Sequence, residues 1–203
     1  MSLIINIYRL SIKIRVLFFM ELIKQNTQSK IIKSILVIFL GSVLLAISAK
    51  IKIPFYPVPM TMQTFVVLFL GISFGHKIAL ATVGLYLLEG ILGLPVFSNS
   101  PERGVGLTYF TGPTMGYLIG FLSACFLAAY VNINDNYFKI LLKLILSVTT
   151  IYILGVLWLG TIIGWDKPIL ELGVLPFLLA EIFKISLLTI ISKKILRFRE
   201  FIR

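Results

Sequence analysis

The sequence predicts an all-α fold: a polytopic membrane bundle of six transmembrane helices with both termini cytoplasmic. Three observations predict it. Hydrophobic residues fill 59% of the 203 positions and charged residues only 13%, whereas a soluble domain is about half apolar and a quarter charged. Mean hydropathy is +1.03, and at roughly 20 residues per span the apolar runs have room for five to seven helices. The cations are also sorted. With the N-terminus inside, fourteen of the nineteen Lys and Arg residues fall on the cytoplasmic side, against Lys50, Lys52, Arg103 and Lys167 outside and Lys184 within a span. That asymmetry orients membrane proteins and requires an even number of spans here. It also argues against reading the net charge of +11 as a nucleic-acid patch, because the basic residues sit in short loops and at the termini.

Residues 1–30 read as a basic N-terminal extension to one membrane domain at 31–203. Ser2–Phe19 is apolar but carries Arg9, Lys13 and Arg15, and a free-standing span does not hold three cations near its centre. An interfacial amphipathic helix and a native start at Met20 are equal alternatives. Helix 1 is expected over Ile31–Ala49, ended by Lys50-Ile51-Lys52. The prolines of Pro54-Phe55-Tyr56-Pro57-Val58-Pro59 favour extended chain. Helix 2, Thr61–Phe74, is short for a span, and helix 3, Lys77–Leu92, is stopped by Gly93-Leu94-Pro95. A polar loop, Val96–Thr108, leads to helix 4 at Tyr109–Val131, whose Gly112, Gly116 and Gly120 allow close helix contact. Helix 5 is expected over Phe138–Ile163 and helix 6 over Leu172–Ile195, joined by the interfacial turn Trp165-Asp166-Lys167-Pro168.

Ionisable residues inside spans are the strongest functional signal, because each costs about 3 kcal/mol or more unless paired or wetted. Glu181 and Lys184, spaced i,i+3, share one face of helix 6. They form either a structural ion pair or a polar ligand site. Glu89 lies near the outer end of helix 3, where it either snorkels to the interface or joins such a site. Asn99, Glu102 and Arg103 make the following loop polar enough to cover an external pocket. One cysteine, Cys125, and one histidine, His76, leave no expected metal site and no disulfide within the chain. No serine–histidine pair, phosphate-binding loop or nucleotide fingerprint is present, so no catalytic residues and no ATPase of the chain's own are expected.

Four segments, taken in order, resemble the BioY family. Ile53-Pro54 with Pro57-Val58-Pro59-Met60-Thr61-Met62-Gln63-Thr64 is similar to its pattern after the first helix. Tyr86-Leu87-Leu88-Glu89-Gly90, then Gly93-Leu94-Pro95-Val96-Phe97, resembles its helix 3 ending. Gly112-Pro113-Thr114-Met115-Gly116-Tyr117-Leu118-Ile119-Gly120-Phe121 is similar to its G-P-T-G-G-Y-L-x-G-F, with Met115 in place of glycine. Pro176-Phe177 with Glu181 and Lys184 resembles its P-F-x-x-x-D-x-x-K, with Glu for Asp. The likeness spans roughly residues 31–195.

This resemblance implies a substrate-binding subunit of an energy-coupling-factor transporter in the cytoplasmic membrane of a bacterium. It implies biotin as transported substrate with no cofactor, a transmembrane coupling subunit and two ATPase subunits as partners, and membrane lipid around the bundle. Glu181 and Lys184 take the positions of the binding pair, Glu181 accepting from a ureido N–H. Arg103 is the expected partner of the valerate carboxylate, with Glu89 and Asn99 as further candidates. The coupling surface is expected on helix 1, at Gly41, Ser42, Ala46 and Ala49, where small side chains let a partner helix approach. A subunit for another vitamin, a ligand-free membrane assembly protein and an intramembrane enzyme remain as alternatives.

Overall fold

Prolines and glycines, more than polar residues, set where the helices stop. The computed structural model describes residues 27–54 and 56–202; most of the expected N-terminal extension, residues 1–26, lies outside the described residues. Helix α1 runs Thr27–Lys50, beginning ahead of the apolar run that starts at Ile31. Two short antiparallel strands follow, β1 (Lys52–Ile53) and β2 (Met60–Thr61), paired Lys52 to Thr61 and Ile53 to Met60. They close the proline segment into a hairpin whose Pro57, Val58 and Pro59 are buried in the bundle.

Helix α2 (Gln63–Ile91) is interrupted at Gly75, with φ 77° and ψ 173°. A residue without Cβ takes that conformation without steric cost. The two arms fold back on each other there. Gln63 Nε2 donates to the Tyr86 hydroxyl at 2.7 Å, although a straight helix would hold these residues about 34 Å apart. The short expected helix 2 and helix 3 are thus the arms of one helical hairpin.

The expected helix 4 is broken. A single turn, α3 (Leu107–Phe110), precedes α4 (Met115–Ala128). Pro113 lies in the gap and has no N–H to continue the ladder. The glycines of α4 do what small residues permit: a Cβ at Gly116 would lie 2.3 Å from the Leu154 carbonyl oxygen, and one at Gly120 would lie 2.7 Å from the Ile151 Cα. Both contacts are on α5 (Tyr137–Ile163), whose start is capped by the Asn136 side chain accepting from the Lys139 N–H. The expected helix 6 is also subdivided, into α6 (Ile169–Gly173), a 3-10 turn (Leu175–Phe177) containing Pro176, and α7 (Leu178–Ile195). The tail forms a short helix, α8 (Phe198–Ile202). Arg199 reaches inward, its Nε donating to the Ile72 carbonyl at 2.8 Å and its Nη2 to the Ala129 carbonyl at 2.7 Å. It places a cation at the ends of the first α2 arm and α4, where helix dipoles favour one.

Among the described residues, the segments long and apolar enough to cross a membrane are Thr27–Lys50, Gln63–Ile91, Tyr137–Ile163 and Ile169–Ile195, with Met115–Ala128 as a shorter apolar helix. The outer surface matches. Ile35, Phe39, Leu40 and Ile47 of α1, and Leu179, Ile182 and Phe183 of α7, are all more than half exposed. Apolar faces of this extent need a partner or lipid. The small residues of α1 face the other way. Ser42 and Ala49 are fully buried, and a Cβ at Gly41 would meet the Thr82 methyl at 2.6 Å. Gly41 and Ser42 therefore pack α1 onto the second arm of α2, Ser42 through Glu89, and Ala49 is buried as well. Ala46 alone lies at the margin.

Candidate functional site

The proline hairpin, the first turn of α2, loop 92–106, α3, α4, α5 and the start of α7 converge on one cavity. It encloses about 540 Å³, counting its open mouth. Its wall is mostly apolar and rich in aromatic rings: Tyr109, Tyr117, Phe121, Tyr152 and Phe177, with Val58, Pro59, Leu118 and Ile151 between them. The rings brace one another, Tyr152 lying nearly parallel to Phe177 at 6.4 Å and edge-on to Tyr117 at 6.1 Å. Polar atoms come from Thr61, Gln63, Thr64, Ser98, Thr114 and Glu181. A few placed polar groups in an apolar wall define a small-molecule site.

Glu181 and Lys184 are each 4% exposed and ion-paired at 2.8 Å. Their roles differ. The Lys184 ammonium donates to the Thr61 carbonyl at 2.7 Å, the Thr64 hydroxyl at 2.9 Å and Glu181 Oε1 at 2.8 Å. These are all the donors an ammonium has. Lys184 lies behind the cavity wall, against a lateral groove formed by Ile51, Met60, Ala180 and Phe183, and has no donor left for a ligand. Glu181 Oε1 also accepts from the Thr64 hydroxyl at 2.8 Å. By distance and angle Oε2 makes no hydrogen bond to a described residue, while the Tyr152 hydroxyl, on the cavity wall, approaches the carboxylate closely enough to interact with it as a hydrogen-bonding neighbour. The triad of Lys184, Thr64 and Glu181 therefore presents one buried anionic acceptor to the cavity.

The other expected site residues do not line this cavity. Glu89 is half-buried and accepts from the Ser42 hydroxyl at 2.9 Å, joining α2 to α1. Asn99 accepts from Lys52 through its side-chain oxygen, while Lys50 Nζ donates to the carbonyls of Phe97 at 2.9 Å and Ser100 at 2.7 Å. The two lysines after helix 1 thus hold loop 97–100 in place. Arg103 donates to the Pro57 carbonyl at 2.7 Å and lies over the Tyr56 ring at 5.4 Å. It borders a second recess with Tyr56, Gly112 and Pro113, and that recess shares Tyr109 and Thr114 with the cavity. Arg103 is consequently a neighbour of the cavity rather than part of its wall. His76 packs against Phe126 at 6.0 Å, and Cys125 is buried; neither borders the cavity.

Sequence reasoning missed Thr64, Ser98, Tyr109, Tyr117, Tyr152 and Phe177. Thr64, Tyr117 and Phe177 lie inside the motifs that carry the resemblance, so the segments were signalled without their roles. Tyr152 had no signal, being one aromatic among many in an apolar run.

An apolar, helix-built body enclosing an aromatic cavity with one buried carboxylate defines a multi-pass membrane protein that binds a small molecule. A family model described as the BioY family matches residues 21–201, and the chain belongs to that family. Among its relatives, the "Probable biotin transporter BioY" of Pyrococcus horikoshii is 32% identical over 163 residues, covering 80% of this chain and 96% of that one. The "Biotin transporter BioY" of Thermotoga maritima is 31% identical over 153 residues, covering 75% and 89%. The fold is similar to that of the S-component for biotin from an ECF-type ABC transporter, with a TM-score of 0.70, 24% identity, and coverage of 85% of this chain and 96% of the other.

Proposed function

We propose that this chain binds biotin from the outer face of the cytoplasmic membrane of a bacterium and serves as the substrate-specific subunit of an energy-coupling-factor transporter. The single observation that carries the reading is the unpartnered Glu181 Oε2 in an aromatic cavity. A cyclic urea supplies the neutral N–H donor this oxygen needs, and its apolar bicycle suits the rings around it. Lys184 and Thr64 hold the carboxylate in position. The valerate tail leads toward Arg103, which lies next to the cavity through Tyr109 and Thr114. Names of relatives as biotin transporters support the same substrate.

In this reading the six spans are α1, the two arms of α2, α4, α5 and the α6–α7 segment, with both termini cytoplasmic. The domain proper is residues 31–203. Energy comes from a transmembrane coupling subunit and two ATPase subunits. The coupling contact falls on α1 at Ala46 and the exposed Val43 and Ile47 beside it, since Gly41, Ser42 and Ala49 are occupied within the chain.

The test is equilibrium binding of labelled biotin to detergent-purified protein. Saturable binding at one site is expected, competed by unlabelled biotin and abolished by Glu181→Ala. Parent protein that binds no biotin, or a Glu181→Ala variant that binds as tightly as the parent, overturns the proposal.

A further inference from the structure

Of the hydroxyls that line the cavity, Ser98 stands apart. Most other buried serines have a partner in the chain: Ser48 and Ser192 each donate to the carbonyl three residues back, Ser147 to the carbonyl four residues back, and Ser100 to the Gly104 carbonyl. Ser98 is in a loop and has no such carbonyl within reach. It is 4% exposed, and its Oγ is buried without a hydrogen-bond partner among the described residues. Its backbone is nevertheless fixed. Its carbonyl accepts from the Tyr109 hydroxyl, and the residues on either side are tied by Lys50 and Lys52. The hydroxyl is thus held at the cavity by its neighbours and used by none of them.

The same cavity holds one other unpartnered buried polar atom, Glu181 Oε2; the remaining one among the described residues, Ser73 Oγ, does not border it. Buried polar groups are nearly always paired, so an exception calls for an unseen partner. The two atoms are chemically complementary. An ionised carboxylate only accepts, whereas a hydroxyl can donate. We infer that Ser98 is a specificity-determining ligand contact: its hydroxyl donates to an acceptor oxygen of the bound molecule while Glu181 Oε2 takes an N–H from the same molecule. The inference deepens the proposed function and rests on it. It narrows the ligand to an apolar body carrying both an N–H donor and an acceptor oxygen. A purely hydrocarbon ligand leaves both atoms unpaired, and a ligand presenting an anion is repelled at Glu181.

The experiment is a titration of labelled biotin against the full-length parent, Ser98→Ala and Ser73→Ala, with thermal stability measured without ligand. Ser98→Ala is expected to bind about tenfold more weakly, the effect of one neutral hydrogen bond. Its ligand-free midpoint should not fall, because no protein partner is lost. Ser73→Ala should bind like the parent. Equal affinity for Ser98→Ala and parent overturns the inference and leaves the proposed function standing. A lowered ligand-free midpoint for Ser98→Ala reveals a protein partner and overturns it as well. An equal loss for Ser73→Ala marks a general packing effect and does the same. Parent protein that binds no biotin removes the proposed function and this inference together.

Discussion

Among the described residues, two carboxylates are paired with lysine ammonium groups and largely shielded by protein, and they are built to opposite ends. At the start of α5, Asp135 uses both oxygens. Oδ1 pairs with Lys139 at 3.2 Å, and Oδ2 meets Lys143 and accepts from the Asn132 N–H at 2.9 Å. Burial opposes its ionisation, but the hydrogen bonds from Lys143, the Asn132 N–H and Lys139 outweigh it and hold the carboxyl at about 2. At the start of α7, Glu181 has Lys184 and Thr64 on one oxygen and, among the described residues, no hydrogen bond of good geometry on the other. In the first pair the cations are the more exposed partners, at 63% and 26%. In the second, ammonium and carboxylate are about equally hidden, at 5% and 6%. Asp135 is a closed loop fastening. Glu181 is held in position by one oxygen so that the other can be offered to the cavity. Pairing alone does not separate a structural ion pair from a site; the count of satisfied oxygens does.

The comparison breaks most readily at Lys184. Lys184→Ala leaves Glu181 buried and unpaired, at a cost of about 3–5 kcal/mol. Thermal unfolding in detergent should show that loss, and biotin affinity should fall by roughly two orders of magnitude or more in whatever folds. A variant that folds with the parent's midpoint and affinity would show that the pair is neither buried nor needed. Thr64→Val is subtler, since it keeps the shape and removes only the hydroxyl between the two charges. A loss of about 1–3 kcal/mol is expected, with weaker biotin binding, because the Glu181 carboxylate is then free to rotate. Unchanged affinity would mean that Lys184 alone orients the carboxylate.

The smallest effect belongs to Asp135. Its folded value lies below the ordinary one near 3.8, so its contribution is present above about pH 4 and lost as pH falls through about 2. Asp135→Asn should cost about 1–2 kcal/mol near neutral pH, the lowered carboxyl setting the upper end and the exposure of its lysine partners the lower. It should also flatten the acid limb of a midpoint-versus-pH curve. Biotin affinity should not change; if it does, the fastening is coupled to the site after all.

The sequence located the helices and the charged pair but could not orient the helices. Apolar run length is enough to find α1, α5 and α7, and prolines mark the subdivisions around Pro113 and Pro176. The Gly75 turn was legible as a gap between two short runs. The inward packing of Gly41, Ser42 and Ala49 was not. In lipid both faces of a helix are apolar, so there is no amphipathic contrast to say which one is inside. The same blindness hid Tyr152. Glu181 and Lys184 were visible because membrane depth makes any charge conspicuous, whereas Asn99, Glu89 and Arg103 were polar residues whose partners only the folded chain supplies.

The first arm of α2 has a further consequence. From Gln63 to Phe74 it offers about 18 Å of helix, against a hydrocarbon core of about 30 Å. Ahead of its first turn lie the buried prolines of the hairpin, and beside it the cavity. Thr64, on the first turn of the arm, therefore meets Glu181 at the cavity wall. Helix length here acts as a ruler: where the arm begins sets where Thr64 holds the carboxylate, and in the proposed function a span of ordinary length would fill the room a guest needs.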